Sequence, residues 1–312
     1  MSNNYGRGIR IVNRLQLGIL EDSLMAEHTK QAIRCIDKRC KGIRCRMVKV
    51  PKGDVKTLLG IIEEGKLDAV ALDLATVKKL GITSEGKGLN GNIELVSLVR
   101  DVDNRYVLMT RKKSGKHFSS PLVVSPGGNI SSQLQEMFDG VTCVSGIEPV
   151  NEQIEKLKLE QCDGVIASRA DIIKLGCDRI SKIRYQCFDD DIIVPDLGDG
   201  IIAVLCRKNY PYIETLKKAH NKRIAKELSM EKHIRTQIYK CFKDVVSAWE
   251  RSVFNVSVRV RINKDRLNIT VYVNEDGKGR YIRKHGVVSD REQLVAEVLY
   301  DVRSSLNNSN VF

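Results

Sequence analysis

The chain has 312 residues, 42% of them hydrophobic, a length that favours two or three domains with their own cores. No stretch approaches the roughly 18 uninterrupted apolar residues of a membrane span, and the N-terminus lacks the apolar core of a signal peptide, so we expect a cytoplasmic protein. The net charge of +13 favours an anionic partner, either a nucleic acid or a polycarboxylate ligand. Only 5% of the residues are aromatic, so the chain offers few side chains on which nucleic-acid bases could stack. A solvated basic surface is therefore favoured over a nucleic-acid-binding surface.

The nine cysteines are an odd number without a CxxC pair, which favours free thiols in a reducing compartment. Cys35, Cys40 and Cys45 are evenly spaced, but an interval of five points successive side chains to different faces of a helix or strand. We therefore expect no metal site there. The acidic run at 189–191 fits a solvated loop better than a metal cluster.

Strand and helix patterns alternate through the first two thirds of the chain, which is typical of α/β architecture. Two similar lobes, each with a mostly parallel sheet, are predicted. In the first we expect a strand at 9–13, a helix at 17–38, a strand at 47–50, a helix at 55–64 and a strand at 68–74. In the second we expect strands at 106–110, 122–125, 141–144 and 164–167, with helices at 131–138, 151–160 and 170–175.

The segment at 192–207 places a loop rich in proline and glycine directly before an apolar strand, as a hinge returning to the first lobe would need. A helix is predicted at 213–239, followed by a hairpin of strands at 254–262 and 267–273. Ser289 and Glu292 form a capping-box pattern for a final helix ending near 305. These elements predict a small C-terminal α+β domain. The predicted domains are 1–100 with 192–212, then 101–191, then 213–312.

Four segments in chain order resemble those of one known family. They are the strand pattern ending at Arg14, the Asp163-Gly-Val-Ile-Ala and Lys174-Leu-Gly pair, the Pro195-Asp-Leu-Gly-Asp-Gly loop with Cys206-Arg207, and the segment 231–250 around Cys241. They are similar to porphobilinogen deaminases, also called hydroxymethylbilane synthases. In that family a cysteine sulfur carries a dipyrromethane primer.

The resemblance implies two periplasmic-binding-protein-like lobes with an attached cysteine domain, in a monomeric transferase of tetrapyrrole and heme biosynthesis. Such an enzyme condenses four porphobilinogen molecules, small anionic pyrroles, on the cysteine-linked dipyrromethane. Cys241 takes the attachment position, and Arg14, Ser125 and Lys174 are the implied cofactor and substrate contacts. The residues alone leave other roles open: a small buried side chain for Cys241, a surface ion pair for Arg14 and a helix C-terminal cation for Lys174.

The resemblance weakens where the chemistry would occur. The family's catalytic aspartate aligns with Thr76, which cannot supply a negative charge. Asp73 is a weak substitute because, on a strand, it lies an odd number of positions away and should face the other side. The family's arginine pair aligns with Asn129 and Ile130, which carry no cation.

The sequence therefore predicts a hydroxymethylbilane-synthase-like protein with activity impaired or lost. The alternative is a non-catalytic protein on the same fold that binds an anionic ligand or regulates the pathway. A nucleic-acid-binding protein that uses the basic surface is a third and less favoured possibility.

Overall fold

In the computed structural model, the described residues are 13–20, 23–50, 54–82, 92–100, 103–112, 120–146, 148–246, 254–275 and 277–307. They fall into two compact units. The first comprises Met1–Asp101 and Ile201–Asn221, and the second comprises Val102–Gly200 and Lys222–Phe312. The domain limits drawn from the sequence stay a prediction.

The secondary structure follows the predicted alternation of strands and helices. The first hundred residues form β1 (Asn13–Ile19), α1 (Ser23–Arg39), β2 (Ile43–Lys49), α2 (Val55–Glu63), β3 (Ala69–Asp73), α3 (Leu74–Lys79) and β4 (Ile93–Arg100). The next hundred form β5 (Tyr106–Arg111), β6 (Leu122–Ser125), α4 (Gly128–Met137), β7 (Thr142–Ser145), α5 (Val150–Lys158), β8 (Gly164–Ser168), α6 (Arg169–Lys174) and β9 (Ile183–Cys187). The rest forms β10 (Ile201–Arg207), α7 (Ile213–Lys217), α8 (Lys222–Val246), β11 (Phe254–Asn263), β12 (Arg266–Glu275), β13 (Lys278–Val287) and α9 (Arg291–Asn307).

The first unit contains a five-stranded sheet in the order β2-β1-β3-β10-β4. Strand β1 is parallel to β2 and β3, whereas β10 is antiparallel to both β3 and β4. All residues of β10 except Arg207 are buried, as expected for a central strand covered on both faces. The strand after the proline and glycine loop thus returns to the first sheet.

The start of this unit corrects the predicted strand at 9–13 and helix at 17–38. Strand β1 begins at Asn13 and helix α1 at Ser23, and residues 9–12 lie outside the described residues. Buried Leu15 and Leu17 alternate with exposed Arg14 and Gln16, which is the period of a strand. The prediction was wrong because Leu17 also fits the helical spacing of the leucines that follow it.

The second unit contains a sheet in the order β7-β6-β8-β5-β9, the same pattern as in the first. Strand β6 is parallel to β7 and β8, and β5 is antiparallel to β8 and β9. Two of the four pairings in each sheet are therefore antiparallel, although four of the five strands run in one direction, as the prediction of mostly parallel sheets requires. The reason is one inserted strand in each sheet, β10 or β5, that runs against its neighbours. The predicted class, two α/β lobes, is confirmed.

The C-terminal elements of the second unit form an antiparallel sheet, β11-β12-β13, packed against α8 and α9. Val256, Val258 and Val260 alternate along β11 and share one core with Ile234 of α8 and Val298 of α9. The predicted hairpin and small α+β architecture are present. The predicted capping box is not, because Ser289 Oγ donates to Asp290 Oδ1 at 2.8 Å within a 3-10 turn that precedes α9.

The predicted helix at 213–239 is interrupted, and two helices replace it. The residues between α7 and α8 are hydrogen-bonded to Leu98 of β4. Leu98 N donates to His220 Nδ1 at 3.1 Å, and Asn221 N donates to Leu98 O at 3.0 Å. These bonds hold residues 220–221 against β4 in an extended form. The amphipathic pattern continued across the break because both helices bury an apolar face.

No helix within the described ranges has the length and apolar character needed to cross a membrane. Across the same ranges, no three His, Cys, Asp or Glu side chains are grouped so that they could hold a metal ion. Every cysteine is a free thiol. Burial raises the pKa of Cys45 and of Cys206 to about 12, so these two thiols stay protonated and unreactive at neutral pH.

Candidate functional site

In the first unit, Asp73 and Thr76 meet where β3 ends and α3 begins. Asp73 Oδ1 accepts the backbone N–H of Thr76 at 2.8 Å, and the Thr76 hydroxyl donates to Asp73 Oδ2 at 2.7 Å. The expectation that Asp73 faces away from position 76 is wrong because the strand stops at Asp73 and position 76 lies in the first turn of a helix. Asp73 is the N-cap of α3, and both of its carboxylate oxygens serve that cap.

A small cavity of about 120 Å³ lies beside this cap, at the carboxyl ends of β1 and β3. This edge of a parallel sheet is where α/β proteins commonly bind ligands. The described residues that line it include no lysine or arginine; they are Leu20, Leu24, Met25, His28, Val55, Leu72, Asp73 and Thr76. The volume is below the 300–1,000 Å³ typical of ligand pockets, so the cavity by itself is too small for a pyrrole with two carboxylate arms.

Arg14 lies at the other end of β1 from this cavity. It is the second residue of the strand and is exposed. Because Leu17 lies opposite Ala69 in the parallel register, Arg14 is seven strand positions from the level of Asp73, or roughly 20 Å. The resemblance placed Arg14 at the end of an opening strand, whereas the structure places it at the beginning of one.

In the second unit, Ser125 ends β6 and holds the turn into α4. Its buried hydroxyl lies 2.6 Å from the hydroxyl of Ser131 and accepts the N–H of Gly127 at 2.9 Å. Gly127 has a φ of 90°, a left-handed conformation that glycine adopts without strain, and α4 begins without a side-chain cap. The first-turn N–H groups of α4 are donors suited to an anion.

The two positions aligned with the family's arginine pair have become part of the protein interior. Ile130 packs in the core of the second unit, where it is 1% exposed. Asn129 is also buried, and its Nδ2 donates to Asp196 Oδ1 at 2.7 Å and to Val256 O at 3.3 Å. Asn129 therefore ties α4 to the 189–199 segment and to β11, which is a structural role.

Lys174 lies in the last turn of α6, with its ammonium 3.8 Å from the carboxylate of Asp171 one turn earlier. Its side chain is only 9% exposed. A cation at a helix C-terminus interacts favourably with the helix dipole. This placement fits the structural role that the sequence left open for Lys174, beside the role in ligand binding.

Cys241 lies on α8, five residues before the helix ends, and is half-buried. The resemblance aligned this segment partly through Glu231, which the structure places on the same helix but in a buried position. Its carboxylate accepts the N–H of Val260 at 3.0 Å and lies 3.5 Å from a guanidinium nitrogen of Arg259. Glu231 is therefore fixed by the packing of α8 against β11.

Sequence reasoning missed this buried charge cluster. Arg259 is 3% exposed and pairs with Asp190 at 2.9 Å as well as with Glu231. Arg261 contacts the same Asp190 carboxylate. The acidic run at 189–191, interpreted as a solvated loop, thus supplies a partner for buried Arg259 and for half-buried Arg261. The available signal was Arg259 and Arg261 alternating with valines on a strand, with one face apolar and the other charged.

The comparisons with known proteins agree with the resemblance. A family model described as "Porphobilinogen deaminase, dipyromethane cofactor binding domain" matches residues 87–215. The porphobilinogen deaminase of Caldicellulosiruptor saccharolyticus is 24% identical over 224 residues, covering 67% of this chain and 75% of its relative. The chain is therefore similar to the porphobilinogen deaminases, at low identity. The porphobilinogen deaminase of Clostridium novyi is 24% identical over 276 residues, covering 86% of this chain and 87% of that protein.

Two solved structures are also similar to this chain. The periplasmic VFT2 domain of BvgS from Bordetella pertussis has 16% identity and a TM-score of 0.40, covering 66% of this chain and 86% of that domain. The second substrate binding domain of an amino acid ABC transporter from Streptococcus pneumoniae has 12% identity and a TM-score of 0.41, covering 66% of this chain and 91% of that domain.

The residues of this chain fit a dipyrromethane group poorly. The group carries carboxylates, which are held best by bidentate arginines. No lysine or arginine occurs between Ser120 and Met137, the segment that carries the aligned arginine positions. The Ser125 hydroxyl is already bound within its own turn, and Ile130 lies in the core. The first-turn N–H groups of α4 are the donors that this turn offers to an anionic ligand in place of arginine.

Proposed function

We propose that this chain is a hydroxymethylbilane-synthase-like protein of tetrapyrrole biosynthesis that binds a small anionic pyrrole but condenses porphobilinogen inefficiently. The observation that carries the proposal is the pair Asp73 and Thr76. At the family's catalytic position stands a hydroxyl, and the nearest carboxylate is used on both oxygens as a helix cap. The family match supports the pathway, and this geometry supports the loss of turnover.

The chemistry explains why this loss is severe. Condensation needs a carboxylate to stabilise the positive charge that develops on the pyrrole and to move protons. A threonine hydroxyl stays neutral at physiological pH, so it performs neither role. Removing one general acid or base typically lowers a rate by about 10²–10⁴. The absent arginine pair weakens the hold on the substrate carboxylates in addition.

Binding without turnover is supported by the turns at the carboxyl ends of the parallel strands. In the second unit, the start of α4 has no side-chain cap, so its first-turn N–H groups are donors at the end of β6. The chain's net charge of +13 favours the approach of an anion. Arg14, Ser125 and Lys174 stay predictions as ligand contacts.

Cys241 takes the cofactor-attachment position in this proposal, as a free thiol that is not loaded. The test is the intact mass of the full chain purified from a host that makes porphobilinogen. We expect the mass of the unmodified polypeptide, equal to that of Cys241→Ser after correction for the substitution. An added mass of two pyrrole units that disappears in Cys241→Ser would contradict the proposal, because it would show that the cofactor is held.

A further inference from the structure

A groove lies between α8 and α9 in the C-terminal part of the second unit, apart from the turns described above. Its volume is about 610 Å³, within the 300–1,000 Å³ range of small-molecule sites. On α8, Lys226, Met230 and His233 follow one another at intervals of four and three and so share one face. On α9, Val295 and Leu299 are four residues apart and therefore also share one face. Each helix contributes about two turns, or roughly 11 Å, to the length of the groove.

The floor of the groove is apolar. Met230, Val295 and Leu299 line it, and all three are partly buried against the hydrophobic core that α8 and α9 share with the C-terminal sheet. Their remaining surface is accessible from the groove. An apolar ligand that covers this surface gains free energy of about 25 cal/mol for each Å² removed from water.

The rim of the groove carries two cations, Lys226 and Arg291, with the imidazole of His233 beside them. Lys226 and His233 are exposed, and Arg291 at the start of α9 is half-exposed. Among the described residues that line the groove, Glu292 alone is acidic; its side chain is 90% exposed, and its carboxylate lies 3.6 Å from Arg291. Because this ion pair is exposed to solvent, it holds Arg291 weakly. The guanidinium can therefore bind another anion.

We propose that this groove binds an amphiphilic organic anion, with an apolar ring system on the floor and one carboxylate or sulfonate at the cationic rim. The short length favours a small molecule over a helix of a partner protein, which needs a longer groove for its i, i+4 and i+7 anchors. The site is separate from the proposed pyrrole site because no groove residue belongs to the turns at Asp73 or Ser125. The two proposals can therefore fail independently.

The test uses 1-anilinonaphthalene-8-sulfonate as the probe, in fluorescence titrations of the folded full chain at low salt. We expect one saturable site. Lys226→Glu combined with Arg291→Glu should weaken binding at least tenfold, and Ala296→Trp should block it, since Ala296 is exposed and lines the groove. Matched controls lie on the same helices outside the groove: Lys232→Glu on α8 and Gln293→Trp on α9 should change the affinity less than twofold.

Circular dichroism and the thermal unfolding midpoint check that each variant is folded. We expect all of them to fold, because the substituted residues are exposed. Equal affinity in the groove variants and in their controls would overturn the proposal, as would the absence of saturable binding. A concentration-dependent dimer that Ala296→Trp disrupts would also overturn it, because the groove would then hold a second copy of the chain.

Discussion

Asp199 shows how one residue can make the second unit sensitive to pH. Burial, opposed by the hydrogen bond from Tyr106 and reinforced by the charge of Asp196, raises the pKa of Asp199 to about 6. The Tyr106 hydroxyl donates to Asp199 Oδ2 at 2.7 Å, and the N–H of Asp196 donates to the same oxygen at 3.2 Å. The folded state therefore binds the Asp199 proton more tightly than the unfolded state does.

The sign of the resulting pH dependence follows from linkage. Stability from Asp199 is fully present below about pH 4 and is lost as the pH rises through about 6. We predict that Asp199→Asn removes this loss, so that between pH 4 and pH 7 the variant gains about 2–3 kcal/mol relative to the parent. Urea unfolding at both pH values measures the difference. Asp265→Asn, at an exposed hairpin turn, is the control. A constant gap between parent and Asp199→Asn at the two pH values would refute the assignment.

At the scale of elements, α8 protects the free edge of the C-terminal sheet. Strand β11 is an edge strand, and an edge strand leaves alternate N–H groups without a partner. Glu227 and Glu231, one helical turn apart on α8, accept the N–H groups of Ile262 at 2.9 Å and Val260 at 3.0 Å. Both carboxylates are buried. The helix thus closes the edge with two side chains in place of another strand.

Removing one of these carboxylates should be costly. We predict that Glu231→Ala lowers the free energy of unfolding by about 3–5 kcal/mol, because Arg259 and the Val260 N–H lose a buried partner. Glu231→Gln should cost less, since its amide oxygen still accepts the N–H. Lys232→Ala, at the exposed neighbouring position, should change stability by less than about 0.5 kcal/mol. Urea denaturation gives all three values, and equal losses for Glu231→Ala and Lys232→Ala would show that the cluster adds no stability.

The elements that were predicted correctly are those whose pattern needs no distant partner. Val55–Glu63 and Leu122–Ser125 appear where periodicity placed them. The break between α7 and α8 depends on hydrogen bonds between the backbone of Leu98 and residues 220–221, which are more than 120 positions away in sequence. Strand β4 was missed for a related reason, because its partner β10 lies about a hundred residues further along.

The candidate site was predictable to a similar degree. The sequence predicted that Thr76 stands at the position of the catalytic aspartate and that the arginine pair is lost, and both stay predictions. It did not show that Asp73 caps the helix containing Thr76, because that contact depends on where β3 stops. Nor could it show that Asn129 joins Asp196 and Val256, since these three residues are far apart in sequence.

At the scale of the whole molecule, the two α/β lobes implied by the resemblance are present. The chain passes between its two units three times, after Asp101, Gly200 and Asn221. In the second unit the C-terminal elements are fastened to the sheet domain through the 189–199 segment, where Tyr281 donates to Ile192 O at 2.8 Å and Arg283 donates to Asp191 O at 2.7 Å.

We propose above all that this chain, similar to porphobilinogen deaminases, condenses porphobilinogen inefficiently. The most direct test is the rate of porphobilinogen consumption by the purified full chain, beside a family enzyme that retains the catalytic aspartate. We predict a rate at least about 100-fold lower, as expected for the loss of a general acid or base. A rate within about tenfold of the active enzyme, abolished by Cys241→Ser, would contradict the account and would show that other residues replace the missing aspartate.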